Sequence, residues 1–343
     1  MYWVVARFFG FVVALFYRQR LLDGPPVPAG PVVLVGNHPN GLIDPVLVMR
    51  AAGRPVRFLA KHPLFKLPVI GQLLRWVRAL PVYRAQDGAS GAENRGTFAA
   101  VHAALGAGDC ICLFPEGISH NEPTLQPLKT GAARMALGAE AESSVGLGVS
   151  VVPVGLIYRD KATFRSEVAI QTGEPIVLAA DWRARHAAAP RETAQALTAL
   201  IGERIRSVTL NLDAWADLPL LDLAGRIWRD ADDPAVRLRA FAEGQRSFLA
   251  REPARIDALR LRVLAFAADL ASLGLNAEHL DALDRPLNVG RALRFAGRQA
   301  LALLIGLPVA LLGAIAYFVP YQAVRLVAWA LHPDLDVVAT VKV

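Results

Sequence analysis

The stretch Val32-Val-Leu-Val-Gly-Asn-His-Pro-Asn-Gly-Leu-Ile-Asp-Pro45 joins two patterns that decide the fold. Its first five residues are aliphatic or glycine with no polar interruption, as in a strand covered on both faces. A polar turn follows, and after it Pro45–Ala52 takes a helical pattern. A buried strand feeding a helix is the repeating unit of a parallel α/β sheet, and the carboxyl end of such a strand is where open sheets place ligands. His38 and Asp44 lie at that end.

Outward from this stretch, β-rich runs alternate with helical ones. Strands are expected at Val32–Gly36, Val56–Ala60, Ala79–Tyr83, Cys110–Phe114, Val149–Tyr158 and Val168–Thr172, with helices at Pro45–Ala52, Asn94–Leu105 and Gly131–Glu140. The Gly-containing piece Gln86–Gly91 reads as a loop. Beyond Asp181 the pattern becomes Ala, Leu and Arg at helical period. The expected fold is therefore α/β, a mixed sheet flanked by helices, with a helical appendage and apolar terminal segments. Its expected divisions are an N-terminal interface helix over 1–24, the α/β domain over 25–180, the appendage over 181–290 and a membrane-associated or membrane-spanning segment over 291–343.

Composition narrows the partners. The 343 residues are 54% hydrophobic and 20% charged, too apolar for a disordered chain, and the net charge of +7 favours anionic partners. The apolar ends turn that preference toward lipid. Met1–Phe16 is apolar except for Arg7, is too short to span, and carries Tyr2 and Trp3 at its start and Tyr17 after its end, so an in-plane anchor helix is expected rather than a removable signal. The alternative is a core helix capping the domain. Ala300–Val319 has 20 residues without a charge, preceded by Arg291, Arg294 and Arg298. Pro308 interrupts it and Pro320 follows, so a kinked span and a re-entrant hairpin fit equally well. Two cysteines, Cys110 and Cys112, exclude a disulfide framework, and no Cys-x-x-Cys or His-Glu-x-x-His spacing organises a metal; none is expected. Glycine-rich phosphate loops, dinucleotide fingerprints, a Gly-x-Ser-x-Gly elbow and nucleic-acid recognition motifs are missing too.

His38 and Asp44 are a candidate base and its orienting carboxylate. Six residues of regular helix turn by about 600°, which would separate the two side chains. They meet only if Pro39-Asn40-Gly41 makes a tight turn before the helix. Asp44-Pro45 also resembles a helix start, with Asp as N-cap and Pro at the first helical position. A second site is Phe114-Pro-Glu-Gly-Ile-Ser-His120, where Glu116 and Gly117 follow a hydrophobic strand and suit a turn whose backbone faces a ligand. Lys61, Arg84 and Lys129 stand at strand exits or a helix start, where a surface charge and a phosphate ligand are both possible.

Taken in order, Asn37-His38…Asp44, Leu80-Pro-Val-Tyr-Arg84, Phe114-Pro-Glu-Gly117 and Val152-Pro-Val154 resemble the four blocks of the glycerolipid acyltransferase superfamily, over roughly residues 30–175. The resemblance implies His38 as general base, Asp44 as its partner and Arg84 on a substrate phosphate. Asn37, Glu116, Gly117 and Ser119 would help form the acceptor site. It implies an acyl-CoA or acyl-carrier-protein donor, a glycerol phosphate or lysophospholipid acceptor and no bound cofactor, while the arginines beside both apolar segments favour the cytoplasmic face of the cell's inner membrane and the lack of a recognition motif speaks against a nucleic-acid partner. Five residues separate His38 from Asp44 where four are usual, a variant similar to fungal-type glycerol-3-phosphate and dihydroxyacetone-phosphate acyltransferases and their bacterial relatives. Ile118-Ser-His120 stands where Thr-Arg-Ser is usual, so a second phosphate-binding arginine is missing, with Lys61 and Lys129 as expected substitutes. A non-catalytic lipid-binding protein on the same fold is the alternative.

Overall fold

A computed structural model describes the chain except residues 84–90, 229–232, 250, 276, 278–279, 281–288 and 332–343. It divides into two units, the first running from Met1 to Asn211 and the second beginning at Leu212.

The first unit is built on one sheet. In chain order its elements are α1 (Tyr2–Phe16), β1 (Arg18–Leu21), β2 (Val32–Gly36), α2 (Ile43–Ala52), β3 (Val56–Lys61), α3 (Pro68–Trp76), β4 (Leu80–Val82), α4 (Gly91–Gly106), β5 (Cys110–Leu113), α5 (Gly131–Glu142), β6 (Ser150–Tyr158), β7 (Glu167–Thr172), β8 (Ile176–Val177), α6 (Ala180–Ala188) and α7 (Pro190–Val208). The strand order is β1-β7-β6-β2-β5-β3-β4, with β8 pairing β6. β6, β2, β5, β3 and β4 run parallel, β7 and β8 lie antiparallel to β6, and β1 runs parallel to β7. The sheet is thus mixed, as the sequence pattern predicts.

Every residue of β2 and of β6 is buried, which is why their sequences are unbroken apolar runs rather than alternating ones. One face of the sheet packs on the Ala-rich α5 and on α7 through Val33, Ile111, Ala133, Ala136, Leu197, Ile201 and Ile205. The other packs on α2 and the end of α1 through Leu34, Leu47, Val48, Val13 and Phe16. Cys110 and Cys112 are buried on this second face with free thiols.

Three expectations change. α6 and α7 belong to the first unit, because the apolar stripe Ala194, Leu197, Ile201 and Ile205 is buried against the sheet; the appendage starts at 212 rather than 181. β1, β8 and α3 escape the sequence pattern, being two to nine residues long and, in β1, rich in arginine. The short β1 is recruited by pairing with β7, from Arg18↔Glu167 to Leu21↔Ile170. The N-terminal segment is not a separate division either: Val5, Val13 and Phe16 of α1 are buried on the unit, while Trp3, Val4, Phe8, Phe11 and Leu15 are exposed along its other side.

The second unit contains α8 (Leu218–Ile227), α9 (Pro234–Leu249), α10 (Pro253–Ser272) and α11 (Val289–Leu331). A small cluster of Leu223, Val263 and Leu270 joins α8 and α10. α11 runs unbroken for 43 residues through Pro308 and Pro320, so the re-entrant hairpin is not formed. Its Gly306–Ala323 portion is long and apolar enough to cross a membrane and is wholly unburied. The expected loop residues 86–90 lie outside the described residues.

Candidate active site

β2 ends at Gly36, and the chain turns through residues 37–42 before α2 begins. The carboxyl ends of its neighbours β5 and β6 lie on either side, so three parallel strands deliver residues to one edge. The turn is the tight one that His38 and Asp44 require: the Ile43 and Asp44 amides both donate to the Asn40 carbonyl, and Gly41 takes a left-handed φ of 31°. The His38 Nδ1 then lies 2.8 Å from Asp44 Oδ2. Asp44 is no N-cap. α2 begins one residue earlier, with Leu42 before it and no side-chain cap, because the Asp44 carboxylate is committed elsewhere.

That carboxylate is fully buried and accepts three hydrogen bonds. Oδ2 takes the Asn40 N–H at 2.7 Å as well as His38, and Oδ1 takes the Tyr158 hydroxyl at 2.5 Å. Three donors compensate the loss of water around a buried charge. Because Asp44 accepts, the His38 proton sits on Nδ1, and Nε2 is left with a lone pair to receive a proton. The ring stacks on Phe114 with centroids 4.0 Å apart and planes 8° from parallel, which fixes the direction Nε2 faces. Burial and the Asp44 charge hold the Tyr158 hydroxyl well above the usual phenol range, so it stays a donor.

A second carboxylate fixes the backbone. Glu116, 3% exposed, accepts the His38 N–H at 2.9 Å on Oε1. Its Oε2 accepts the Gln126 N–H at 2.8 Å and lies 2.5 Å from His120 Nε2. The His120 N–H in turn donates to the His38 carbonyl at 3.2 Å. His38 is therefore held at both backbone ends by the loop after β5. The expectation that Glu116 meets the acceptor gives way to this bracing role, since both its oxygens are engaged by the chain. Asn37 changes likewise: its amide donates to the Leu156 carbonyl and accepts the Leu156 N–H, each at 2.9 Å, and so ties β2 to β6 instead of facing a substrate.

Gly117 takes φ 79°, where only glycine is at ease. A Cβ there would come within 2.7 Å of the Lys129 Nζ, so the exposed ammonium lies over the glycine. Ser119 follows in the same turn. Lys61 ends β3, exposed on the same carboxyl edge but two strands from β2, about 10 Å away at ordinary strand spacing. Arg84 lies outside the described residues. Metal-ligand groups of three or more His, Cys, Asp or Glu are absent among the described residues.

Four participants escaped the sequence reading. Tyr158, Asn40, Tyr17 and Lys161 join the site only through the fold. Asn40 Nδ2 donates to the Tyr17 hydroxyl at 2.9 Å, and that hydroxyl donates to the Lys161 carbonyl. Lys161 Nζ donates to the Pro39 carbonyl at 3.0 Å. Tyr158 had a readable signal, a hydroxyl at the end of a nine-residue apolar strand; Tyr17 and Lys161 had none.

The site thus combines an imidazole whose Nδ1 contacts a buried carboxylate with a lysine over a glycine turn. The family model described as Acyltransferase matches residues 21–157. The match supports placing these residues in the glycerolipid acyltransferase superfamily. Glycerol-3-phosphate O-acyltransferase 2 of Saccharomyces cerevisiae is 35% identical over 188 residues, covering 53% of this chain and 25% of the yeast protein. Lyso-ornithine lipid O-acyltransferase of Brucella abortus is 31% identical over 155 residues, 45% of this chain and 52% of the relative. The chain thus spans a quarter to a half of the length of these relatives. Among solved structures, the 1-acyl-sn-glycerophosphate acyltransferase PlsC of Thermotoga maritima aligns with a TM-score of 0.41 and 17% identity over 58% of this chain and 78% of that one.

Proposed function

We propose that the protein is a membrane-associated O-acyltransferase that moves a fatty acyl group from a thioester to a hydroxyl of a glycerol phosphate or lysophospholipid. The observation that carries this reading is the 2.8 Å contact of His38 Nδ1 with Asp44, which leaves Nε2 as a base at the carboxyl edge of the sheet. Nε2 takes the hydroxyl proton as the acceptor oxygen attacks the thioester carbonyl, and Asp44 stabilises the imidazolium that forms. Backbone donors hold the oxyanion. Collapse expels the thiolate, to which His38 returns the proton. The acyl group goes directly to the acceptor, so no Ser or Cys nucleophile takes part. Both cysteines are buried, with the Cys110 thiol pushed up to about 12 by desolvation, which suits structural rather than nucleophilic roles.

The acceptor's phosphate would meet Lys129 above Gly117, Lys61 on the same edge, and Arg84, whose planar fork suits bidentate binding. The donor would be acyl-CoA or acyl-carrier protein. The exposed face of α1 and the unburied apolar α11 support attachment at the cytoplasmic face of the inner membrane. The test is to incubate membranes carrying the protein with labelled acyl-CoA or acyl-carrier protein and a panel of phosphate-bearing and phosphate-free acceptors, then identify the product lipid. An acylated glycerolipid that disappears in His38→Ala supports the reading. Lipid binding without turnover for every donor and acceptor would make it the non-catalytic alternative.

A further inference from the structure

The proposed reaction uses the carboxyl edge of the sheet, and a second concave site lies away from it, on the outer side of α2. A cavity of about 710 Å³ opens between α1, α2 and β1, and its walls include Trp3, Arg7, Gln19, Val46, Met49 and Arg50. Its polar groups are all donors or amides. Arg7 is the lone charged residue of the 15-residue α1, and Arg50 lies in the last turn of α2. Among the described residues neither has a carboxylate partner. Gln19 lines the same cavity, and its Nε2 is buried with no hydrogen-bond partner, an arrangement that ordinarily costs stability unless something accepts from it.

Two guanidinium groups and an orphaned amide N–H match an oxyanion with several acceptor oxygens. The surroundings identify which kind. Val4, Phe8, Phe11 and Leu15, spaced four, three and four residues apart, form an exposed apolar stripe on α1, with Trp3 beside it. A tryptophan and an arginine bordering such a stripe sit at headgroup depth when the stripe enters a bilayer. Val46 and Met49 give the cavity an apolar wall that a free phosphate would not need. Arg50 follows Asp44 by six residues, about 9 Å along the helix, so this site is separate from the dyad.

We infer that the cavity between α1 and α2 binds the phosphate headgroup of one anionic phospholipid, held by Arg7, Arg50 and the Gln19 amide. This lipid is a bound component of the membrane-attached protein, distinct from the acyl acceptor. The inference rests on the reading of α1 as membrane-facing, and the experiment separates the two.

Native mass spectrometry of the detergent-solubilised full chain, titrated with phosphatidylglycerol or with phosphatidylcholine of the same acyl chains, reads the site directly. The first phosphatidylglycerol should bind about tenfold more tightly or better, because paired guanidinium contacts to an anion are strong and choline is repelled. Arg7→Gln with Arg50→Gln should bring the ratio close to one. Arg191→Gln with Arg262→Gln, which removes two exposed charges elsewhere, should leave it unchanged. Gln19→Leu should lower it about tenfold, as loss of one hydrogen bond to a charged group predicts. Equal affinities in the parent chain, or an unchanged ratio in the Arg7/Arg50 variant, overturn the inference. If that variant has no melting transition, an unchanged ratio in Gln19→Leu overturns it instead. Displacement of phosphatidylglycerol by millimolar glycerol phosphate would assign the site to a soluble phosphate and also overturn it. Flotation with neutral vesicles at high salt tests the membrane-facing reading: absence of flotation sinks that reading, whereas flotation without headgroup selectivity sinks the lipid site alone.

Discussion

Replacing Asp44 by asparagine isolates the charge of the dyad from its geometry. The Asp44 carboxylate is fully buried and faces the His38 Nδ1–H and the Asn40 N–H on one oxygen and the Tyr158 hydroxyl on the other. An amide has one acceptor and one donor end. The Asn40 backbone can only donate, so the amide oxygen must take the Oδ2 position, and the NH₂ then faces Tyr158. A hydroxyl can turn and accept, so the swap leaves no clash. With the amide oxygen toward His38, the imidazole keeps its proton on Nδ1 and its lone pair on Nε2. Asp44→Asn therefore preserves the tautomer and removes the charge that stabilises the imidazolium. Opposite charges about 4 Å apart at an effective dielectric of about 20 interact by about 4 kcal/mol. At about 1.4 kcal/mol per decade, that is a loss of roughly 10³ in kcat/KM. The assay is thiol release from acyl-CoA with a saturating acceptor, alongside a melting curve. His38→Ala should lose at least about 10², and adding Asp44→Asn to it should cost little more, because the two act as one unit. Activity within about tenfold of the parent in folded Asp44→Asn, or multiplying losses in the double variant, would refute the dyad.

Gly117→Ala should cost roughly 1 kcal/mol of stability, for a side chain forced to positive φ, and should raise the acceptor KM by displacing the Lys129 ammonium; Lys129→Met should reproduce the KM effect without the stability loss. Tyr17→Phe should lower the melting temperature by the equivalent of about 1 kcal/mol, with a several-fold loss of activity, because it removes the oxygen that accepts from Asn40 and donates to Lys161. Stability should fall as pH rises above 9: the unfolded Cys110 thiol loses its proton near 9 and the native one is held to about 12, so over that window the unfolded state binds fewer protons than the native state. Cys110→Ala should flatten that slope in pH-dependent melting curves. Deleting residues 300–343 should move the protein toward the salt-extractable membrane fraction; a full-length chain soluble without detergent would show that α1 and α11 are not membrane-bound.

The legible parts of this chain were those where one local pattern had a single outcome. β2, β5 and β6 are apolar runs because both faces of each are covered, and the alternation of such runs with helical ones predicts the sheet without knowledge of its order. His38 and Asp44 were legible because Pro39 and Gly41 allow the turn that brings them together. What stayed hidden depends on strand order. β6 beside β2 puts Tyr158 against a carboxylate 114 residues earlier and locks Asn37 to Leu156, so an asparagine in a recognised block turns out to join strands. Glu116 misleads for the same reason: a carboxylate after a strand looks available to ligand until the fold shows the His38 and Gln126 amides pointing at it.

Tyr17 carries this logic furthest. It is the residue directly after α1, a buried phenol whose oxygen receives the Asn40 amide, and the Asn40 N–H in turn rests on the Asp44 carboxylate. The apolar helix and the base are thus joined through three consecutive polar contacts, Tyr17 to Asn40, Asn40 to Asp44 and Asp44 to His38. A displacement of α1 that moves Tyr17 must either strip a hydrogen bond from a buried amide, at about 1–3 kcal/mol, or carry the turn of residues 37–42 with it. Seating α1 in a bilayer would therefore hold the turn that aims His38. Tyr17→Phe, which cuts that link, should therefore lose more activity in membranes than in detergent, where no bilayer holds α1.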